Sequence, residues 1–271
     1  LARLGLDAGG VVLLTGGARG VAARLARELA RAAGCHLELV GRTPQPPPTE
    51  DPLIAAARDE AALRRALLAE GEARTPAEID AAIRRITAER EIRRTLEALR
   101  GSAASVRYHA VDVRDPEAVR AVVEDVYARH GRLDGVVHGA GLLEDRPVRD
   151  KEPESFSRVY RTKVDGACAL AASVRRDLKF FVVFGSTAAG LGCPGRADHA
   201  AAADACDTLA RVWRAQLRGR VLVADWGPWA GGGGTAPADG PLLDPDAAVA
   251  ALLRELAFGD EAQVVFTGTA P

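Results

Sequence analysis

The segment Val11–Ala30 constrains this chain more than any other, reading VVLLTGGARGVAARLARELA. An apolar run is followed by a glycine-rich turn and an amphipathic stretch. Val11, Val12, Leu13 and Leu14 suit a strand covered on both faces. Gly16, Gly17 and Gly20 predict a sharp turn whose backbone can approach an anion with no Cβ in the way. Val21, Leu25 and Leu29 lie four apart, so the helix that follows aims its free N–H groups and positive dipole end at that anion. Strand, turn and helix in this order build a pocket for a dinucleotide pyrophosphate. A second predicted strand, His36–Val40, runs into Gly41-Arg42. An acidic residue at that strand end would bond a ribose 2′-OH, whereas Arg42 suits a 2′-phosphate. The plainer alternative is that Arg42 is one solvated arginine among many. Arg19, inside the turn, offers a second phosphate contact.

The stretch Thr43–Pro52 (TPQPPPTEDP) is excluded from helix and central strand by its prolines. Two helical patterns follow, one over Leu53–Glu70 and one opening at Thr75-Pro76-Ala77-Glu78, a capping box with proline at the first helical position, and continuing to Leu99. A third strand is predicted at Ser105–Val111, ending in Asp112-Val113. Connections in such folds hold one helix and short loops of about 2–6 residues. The surplus between Arg42 and Ser105 therefore reads as an inserted helical hairpin, residues 53–100, within a single domain spanning 1–271. Its second helix alternates charge (Glu78, Arg84, Glu89, Arg90, Glu91, Arg93) and is expected to be mostly solvated, with Ile79, Ile83, Ile86 and Leu96 facing inward. As a docking or dimer surface, or as ornament, it is equally well explained.

The rest is regular. Predicted helices cover Pro116–His130, Pro153–Arg175 and Ala200–Gln216, and predicted strands cover Gly135–His138, Phe180–Phe184 and Val221–Asp225. Strand alternating with helix predicts an α/β fold, a doubly wound parallel sheet with right-handed crossovers. In such sheets ligands sit beyond the carboxyl ends of the strands. Gly16–Gly20, Arg42, Asp112, Gly139–Gly141, Ser186 and Gly227-Pro228 all fall there, which argues for one cleft.

Composition narrows the function classes. With 271 residues and a net charge of −1, the chain can bury a full core and has no electrostatic case for nucleic acid or an anionic membrane. No apolar stretch is long enough to span a bilayer. Cys35, Cys168, Cys193 and Cys206 lack paired zinc spacing and fit reduced cytoplasmic thiols, so no metal is expected. The absence of methionine and the start at Leu1 suggest a piece of a longer polypeptide. Lysine is nearly absent: Lys151, Lys163 and Lys179 are the three in a Lys+Arg total of 36, which makes each worth inspecting.

With these residues placed, the chain resembles the short-chain dehydrogenase/reductase superfamily, of Rossmann type. Within it, the chain is similar to ketoreductase domains of iterative type I polyketide synthases and polyunsaturated fatty acid synthases. The resemblance is carried by TGGARG (Thr15–Gly20), VGR (Val40–Arg42), VDV (Val111–Val113), HGAGLLED (His138–Asp145), TKVDGA (Thr162–Ala167), FGSTAAGLGCPGRAD (Phe184–Asp198) and WGPWAGGG (Trp226–Gly233). It implies NADPH-dependent reduction of a β-ketoacyl thioester presented by an acyl carrier protein, among other domains of a synthase. The implied cofactor residues are Thr15, Gly16, Gly17, Arg19, Gly20, Arg42, Asp112, Val113, Gly139, Ala140, Gly141 and Pro228.

The implied chemistry needs a hydride donor and a proton donor for the carbonyl oxygen. In the family a tyrosine is that acid, a serine bonds the same oxygen, a lysine lowers the tyrosine pKa, and an asparagine helps fix the lysine and a water. Ser186 matches the serine and Lys163 the lysine. His199 stands at the tyrosine position and Ala203 at the asparagine position. None of Tyr108, Tyr127 and Tyr160 has a lysine four residues on; Tyr160 shares a helix face with Lys163 and reads as a packing residue. An imidazolium is a good acid near its unperturbed pKa of about 6.5. Lys163 would depress it, with Asp198 offsetting this in part. A reductase using Lys163, Ser186 and His199 and a silent reductase-like domain both follow from these departures. Leu143-Glu144-Asp145, Pro194 and Leu191 resemble the subclass that forms a D-configured hydroxyl.

Overall fold

The computed structural model describes residues 2–70, 75–230 and 241–268. Seven parallel strands form one sheet in the order β3-β2-β1-β4-β5-β6-β7. They are β1 (Val11–Thr15), β2 (His36–Gly41), β3 (Ser105–Ala110), β4 (Gly135–His138), β5 (Phe180–Ser186), β6 (Arg220–Trp226) and β7 (Gln263–Phe266). Every pairing is parallel, as the alternation of strand and helix requires. The chain winds outward from β1 to β3 and then restarts on the other side of β1 at β4. The carboxyl ends of β1 and β4, where Thr15 pairs with His138, are therefore the switch point where such sheets open a crevice.

Helices cover both faces. On one side lie α1 (Gly20–Ala33), α2 (Pro52–Ala56), α3 (Glu60–Glu70) and α4 (Pro76–Leu99). On the other are α5 (Pro116–His130), α6 (Pro153–Ser173), the short α7 (Ala188–Leu191) and α8 (Ala197–Gln216), while α9 (Pro245–Phe258) returns to the α1 face. β1 shows why its run is continuously apolar: Val12 and Leu14 enter the core under α1, α4 and α9, while Val11 and Leu13 enter the core under α5, α6 and α8. Two elements not anticipated from the sequence, α9 and β7, complete the sheet.

Two expectations need correction. The helix expected over Leu53–Glu70 is two helices. Asp59 interrupts it, accepting the Ala62 N–H at 2.7 Å as the cap of α3. The carbonyls freed by the break, Ile54 O and Ala57 O, accept hydrogen bonds from the Arg90 guanidinium at 2.6 and 2.8 Å. Arg90, expected on a solvated face, is thus half-buried and also paired with Glu50 at 2.9 Å.

The second correction concerns the segment 53–100 as a whole. Ile79, Ile83 and Ile86 of α4 pack with α2 and α3 in a small separate cluster, but Ile92, Leu96 and Leu99 lie in the main core. The latter half of α4 is the crossover helix that a parallel β2–β3 connection needs, and the surplus is confined to what precedes it. The capping box at Thr75 and Glu78 forms as expected. No helix among the described residues is long and apolar enough to cross a membrane.

Candidate active site

The glycine turn meets the β4 end at close range. Gly16 has φ +70°, its N–H donates to Val40 O at 2.8 Å, and a Cβ there would approach Gly139 O to 3.0 Å. A Cβ at Gly17 would stand 2.7 Å from Leu14 Cβ, so only glycine lets the turn settle onto β1. Gly20 opens α1 at φ +55°, the left-handed region that favours glycine. Thr15 Oγ1 accepts the Ala140 N–H at 3.2 Å and shares a 2.8 Å hydrogen bond with His138 Nδ1. The other ring nitrogen of His138 donates to Lys163 O at 3.0 Å. Complete burial pushes this imidazole down to about 3, so it is neutral, with its proton on Nε2. It ties the turn to α6.

A cleft of about 540 Å³ opens above this turn. Gly16, Arg19, Gly20, Arg42, Asp112, Val113, Gly139, Ala140 and Gly141 all line it, as their strand-end positions predict. Thr15 and Gly17 lie beneath, shaping the turn. Asp112 is clamped by Arg114 at 2.6 Å, which holds its carboxyl below the usual range. Arg19 differs from expectation: its guanidinium meets Glu91 of α4 at 2.6 Å. Glu91 and Ile92 line the cleft as well, as does Tyr108, whose hydroxyl donates to Thr43 O at 2.6 Å.

A second lobe of about 500 Å³ continues from the first, sharing Gly139, Gly141, Leu142, Phe184 and Trp229 with it. Its floor is aromatic, with Trp226 at 5.0 Å from Trp229 and 5.4 Å from Phe184 between ring centres. Lys163, Ser186 and His199 all face this lobe, and so does Pro228, which was expected with the cofactor turn. Lys163 is buried and donates through Nζ to Phe184 O at 2.5 Å; desolvation lowers its pKa. The Ser186 N–H donates to Asp225 Oδ1 at 2.8 Å, and Ser186 Oγ accepts the Ala188 N–H at 3.2 Å.

His199 sits in the first turn of α8, which begins three residues earlier than expected. Its Nδ1 is buried without a hydrogen-bond partner among the described residues. Burial, then Lys163 and Arg196, push its pKa down to about 4. The compensation expected from Asp198 falls short, because that carboxylate is committed to Lys151 at 2.6 Å in a fully buried pair and to the His199 backbone N–H at 2.8 Å. Ala203 is completely buried in the core, and Tyr160 stacks on Phe156 as a packing residue.

A sequence model described as the KR domain matches residues 10–231. The chain belongs to the KR-domain family. It is 33% identical over 236 residues to a polyunsaturated fatty acid synthase protein of Thraustochytrium sp., covering 82% of this chain and 8% of that protein. It is 31% identical over 270 residues to polyketide synthase GfsA of Streptomyces halstedii, covering 96% of this chain and 3% of that protein. The chain therefore spans a small fraction of these relatives. Among solved structures, an N-terminal ketoreductase from the macrolactin assembly line superposes with a TM-score of 0.72 at 26% identity, over 96% of this chain and 44% of that one.

For a KR domain, the residues that frame the substrate lobe are as informative as those inside it. Leu143 and Leu191 stand exposed at its mouth. Glu144 is locked by Arg158 at 2.7 Å and Ser155 at 2.6 Å, and the Arg158 bond leads in holding its carboxyl at about 2. Asp145 is paired with Arg196 at 2.8 Å. Sequence reasoning missed His138, Asp225, Glu91 and the Lys151–Asp198 pair. The scarcity of lysine was the one signal that pointed at Lys151. The end of the last motif, Gly231–Gly233, lies outside the described residues.

Proposed function

We propose that this KR domain binds NADPH in the first lobe and reduces a β-ketoacyl thioester, delivered by an acyl carrier protein, in the second, as part of a cytoplasmic synthase. The observation that carries this reading is the continuity of the two lobes, with Lys163, Ser186 and His199 together on the second. The first lobe fits a phosphorylated dinucleotide because the glycine turn is a cradle that a Cβ would fill. Arg42 and Arg19 would hold the 2′-phosphate, and Gly139–Gly141 would line the path to the nicotinamide. NADPH supplies the hydride. Ser186 Oγ donates a hydrogen bond to the substrate carbonyl oxygen, and the buried Lys163 ammonium polarises it electrostatically. The aromatic floor excludes water, and the exposed Leu143 and Leu191 offer an apolar mouth for an acyl chain. The Leu143-Glu144-Asp145 loop favours a D-configured hydroxyl.

The proton is the weak link. With its pKa at about 4, His199 is a neutral imidazole at pH 7 and a poor acid. That observation favours a second reading: a silent KR domain that keeps the cofactor lobe and has relaxed the proton-donating one. Incubating the domain with NADPH and a β-ketoacyl thioester, while following cofactor absorbance, separates the two. Turnover abolished by Ser186→Ala overturns the silent reading. No turnover in the native chain, with activity restored by His199→Tyr together with Ala203→Asn, overturns the reductase reading.

A further inference from the structure

Behind Lys163 and Ser186 lies a pair of carboxyl groups that the reaction outlined above does not use. Asp225 closes β6 and is 2% exposed. Its side chain passes over Gly185 of β5, where a Cβ would collide with Oδ1. That missing side chain lets Oδ1 reach the Ser186 N–H at 2.8 Å. The carbonyl just before Gly185, Phe184 O, is the one that anchors Lys163 Nζ at 2.5 Å. Lys163 and Asp225 thus grip the two sides of one glycine. The other oxygen, Oδ2, accepts from Gln263 Nε2 of β7 at 2.8 Å.

Asp207 of α8 completes the group. Its Oδ1 is buried, and among the described residues no N–H or hydroxyl donor reaches it. Its neighbour is the Asp225 carboxyl, with which it shares a hydrogen bond that exists only if one of the two is protonated. Two carboxylates cannot both ionise at such range in a buried site, so the pair titrates as a unit. Desolvation pushes Asp207 up to about 7 and raises Asp225 too. Asp207 also lines a separate cleft of about 500 Å³ with Arg211, Arg214, Glu261 and Gln263, which gives its proton a way to exchange with water. The other titratable groups near the pair are Lys163 on α6, and Asp204 and Cys206 on α8.

We propose that Asp225 and Asp207 are positioning residues that hold one proton between them, fix Ser186 through its backbone N–H, and set the negative charge facing Lys163 from behind. Below the transition the pair carries one negative charge against the Lys163 ammonium, and above it two. The catalytic significance rests on Ser186 and Lys163 being the reacting site; the shared proton does not.

Having only three lysines makes the test clean. Protein labelled with ¹³C at lysine Cε gives one signal each for Lys151, Lys163 and Lys179, and Lys163→Arg assigns the middle one. The expected result is that the Lys163 signal moves with a midpoint near pH 7 while the other two do not, and that Asp207→Asn removes this inflection. The amide of that variant still donates to Asp225, so the fold has its hydrogen bond. A Lys163 signal flat through neutral pH in the native chain, or an unchanged inflection in Asp207→Asn, overturns the proposal. Should Asp207→Asn fail to fold, the infrared band of a protonated aspartic acid in the native protein decides instead. Its disappearance with the same midpoint supports the pair, and its absence at mildly acid pH refutes it. None of these measurements needs turnover or NADPH, so an inactive domain with an intact Lys163 inflection would count against the reductase reading alone.

Discussion

The two lobes of the cleft are built from different materials. The cofactor lobe is backbone: glycines at positive φ, strand ends and the first turn of α1, with few side chains committed to it. The catalytic lobe is side chains held by other side chains, namely Lys163 on a carbonyl, Ser186 through Asp225, and Asp198 on Lys151. A backbone site survives drift in most neighbouring residues, because only a Cβ in the wrong place spoils it. A side-chain site changes character with single replacements. His199 and Ala203 show this: the lobe keeps its shape while its acid becomes a neutral imidazole.

The largest expected effect breaks the catalytic lobe. Lys151→Met leaves the Asp198 carboxylate buried and unpaired, and removing one partner of such a pair costs about 3–5 kcal/mol. A chemical denaturation curve should show that loss, while NADPH affinity of the folded fraction stays near native. Gly16→Val is the reciprocal experiment. Its φ of +70° and the nearby Gly139 O make the change strained. Backbone strain of roughly 1–3 kcal/mol should weaken NADPH binding about tenfold to a hundredfold in titration calorimetry.

A third test sharpens the contrast through pH. His199 has its folded pKa depressed from 6.5 to about 4, so the stability tied to its neutral form is full above 6.5 and lost as pH falls through 4. Unfolding free energies measured across that window should decline toward acid, and less steeply in His199→Phe. If His199 is the acid in turnover, the rate should climb over the same window as the imidazole gains its proton. The smallest effect is at Glu91. Its ion pair with Arg19 is exposed and worth roughly 0.2–1 kcal/mol, so Glu91→Gln should barely change stability. Freeing Arg19 and removing a negative charge from the cleft should tighten NADPH by no more than about fivefold, most visibly at low salt.

Much of the scaffold was legible because buried parallel strands are apolar runs ended by turn residues. β1, β2 and β4 appear within a residue of their predicted bounds for this reason. The convergence of Gly16, Arg42, Asp112 and Gly139 on one cleft was equally legible, since strand ends of a parallel sheet share an edge. The break at Ala57–Asp59 was not, because what satisfies it is Arg90, more than thirty residues on. The partition of α4 between two cores was hidden for the same reason: periodicity marks which face is apolar, not what covers it.

By itself, the sequence determined the layered sheet, the glycine cradle and the membership of Lys163, Ser186 and His199 in one site, since each follows from local pattern and order along the chain. Tertiary structure alone decided how those groups are charged. Burial of His199 beside Lys163, the diversion of Asp198 to Lys151, and the meeting of Asp225 with Asp207 are through-space events. Protonation depends on desolvation and on neighbours a few ångströms away, and neither is written into the spacing of residues along a chain.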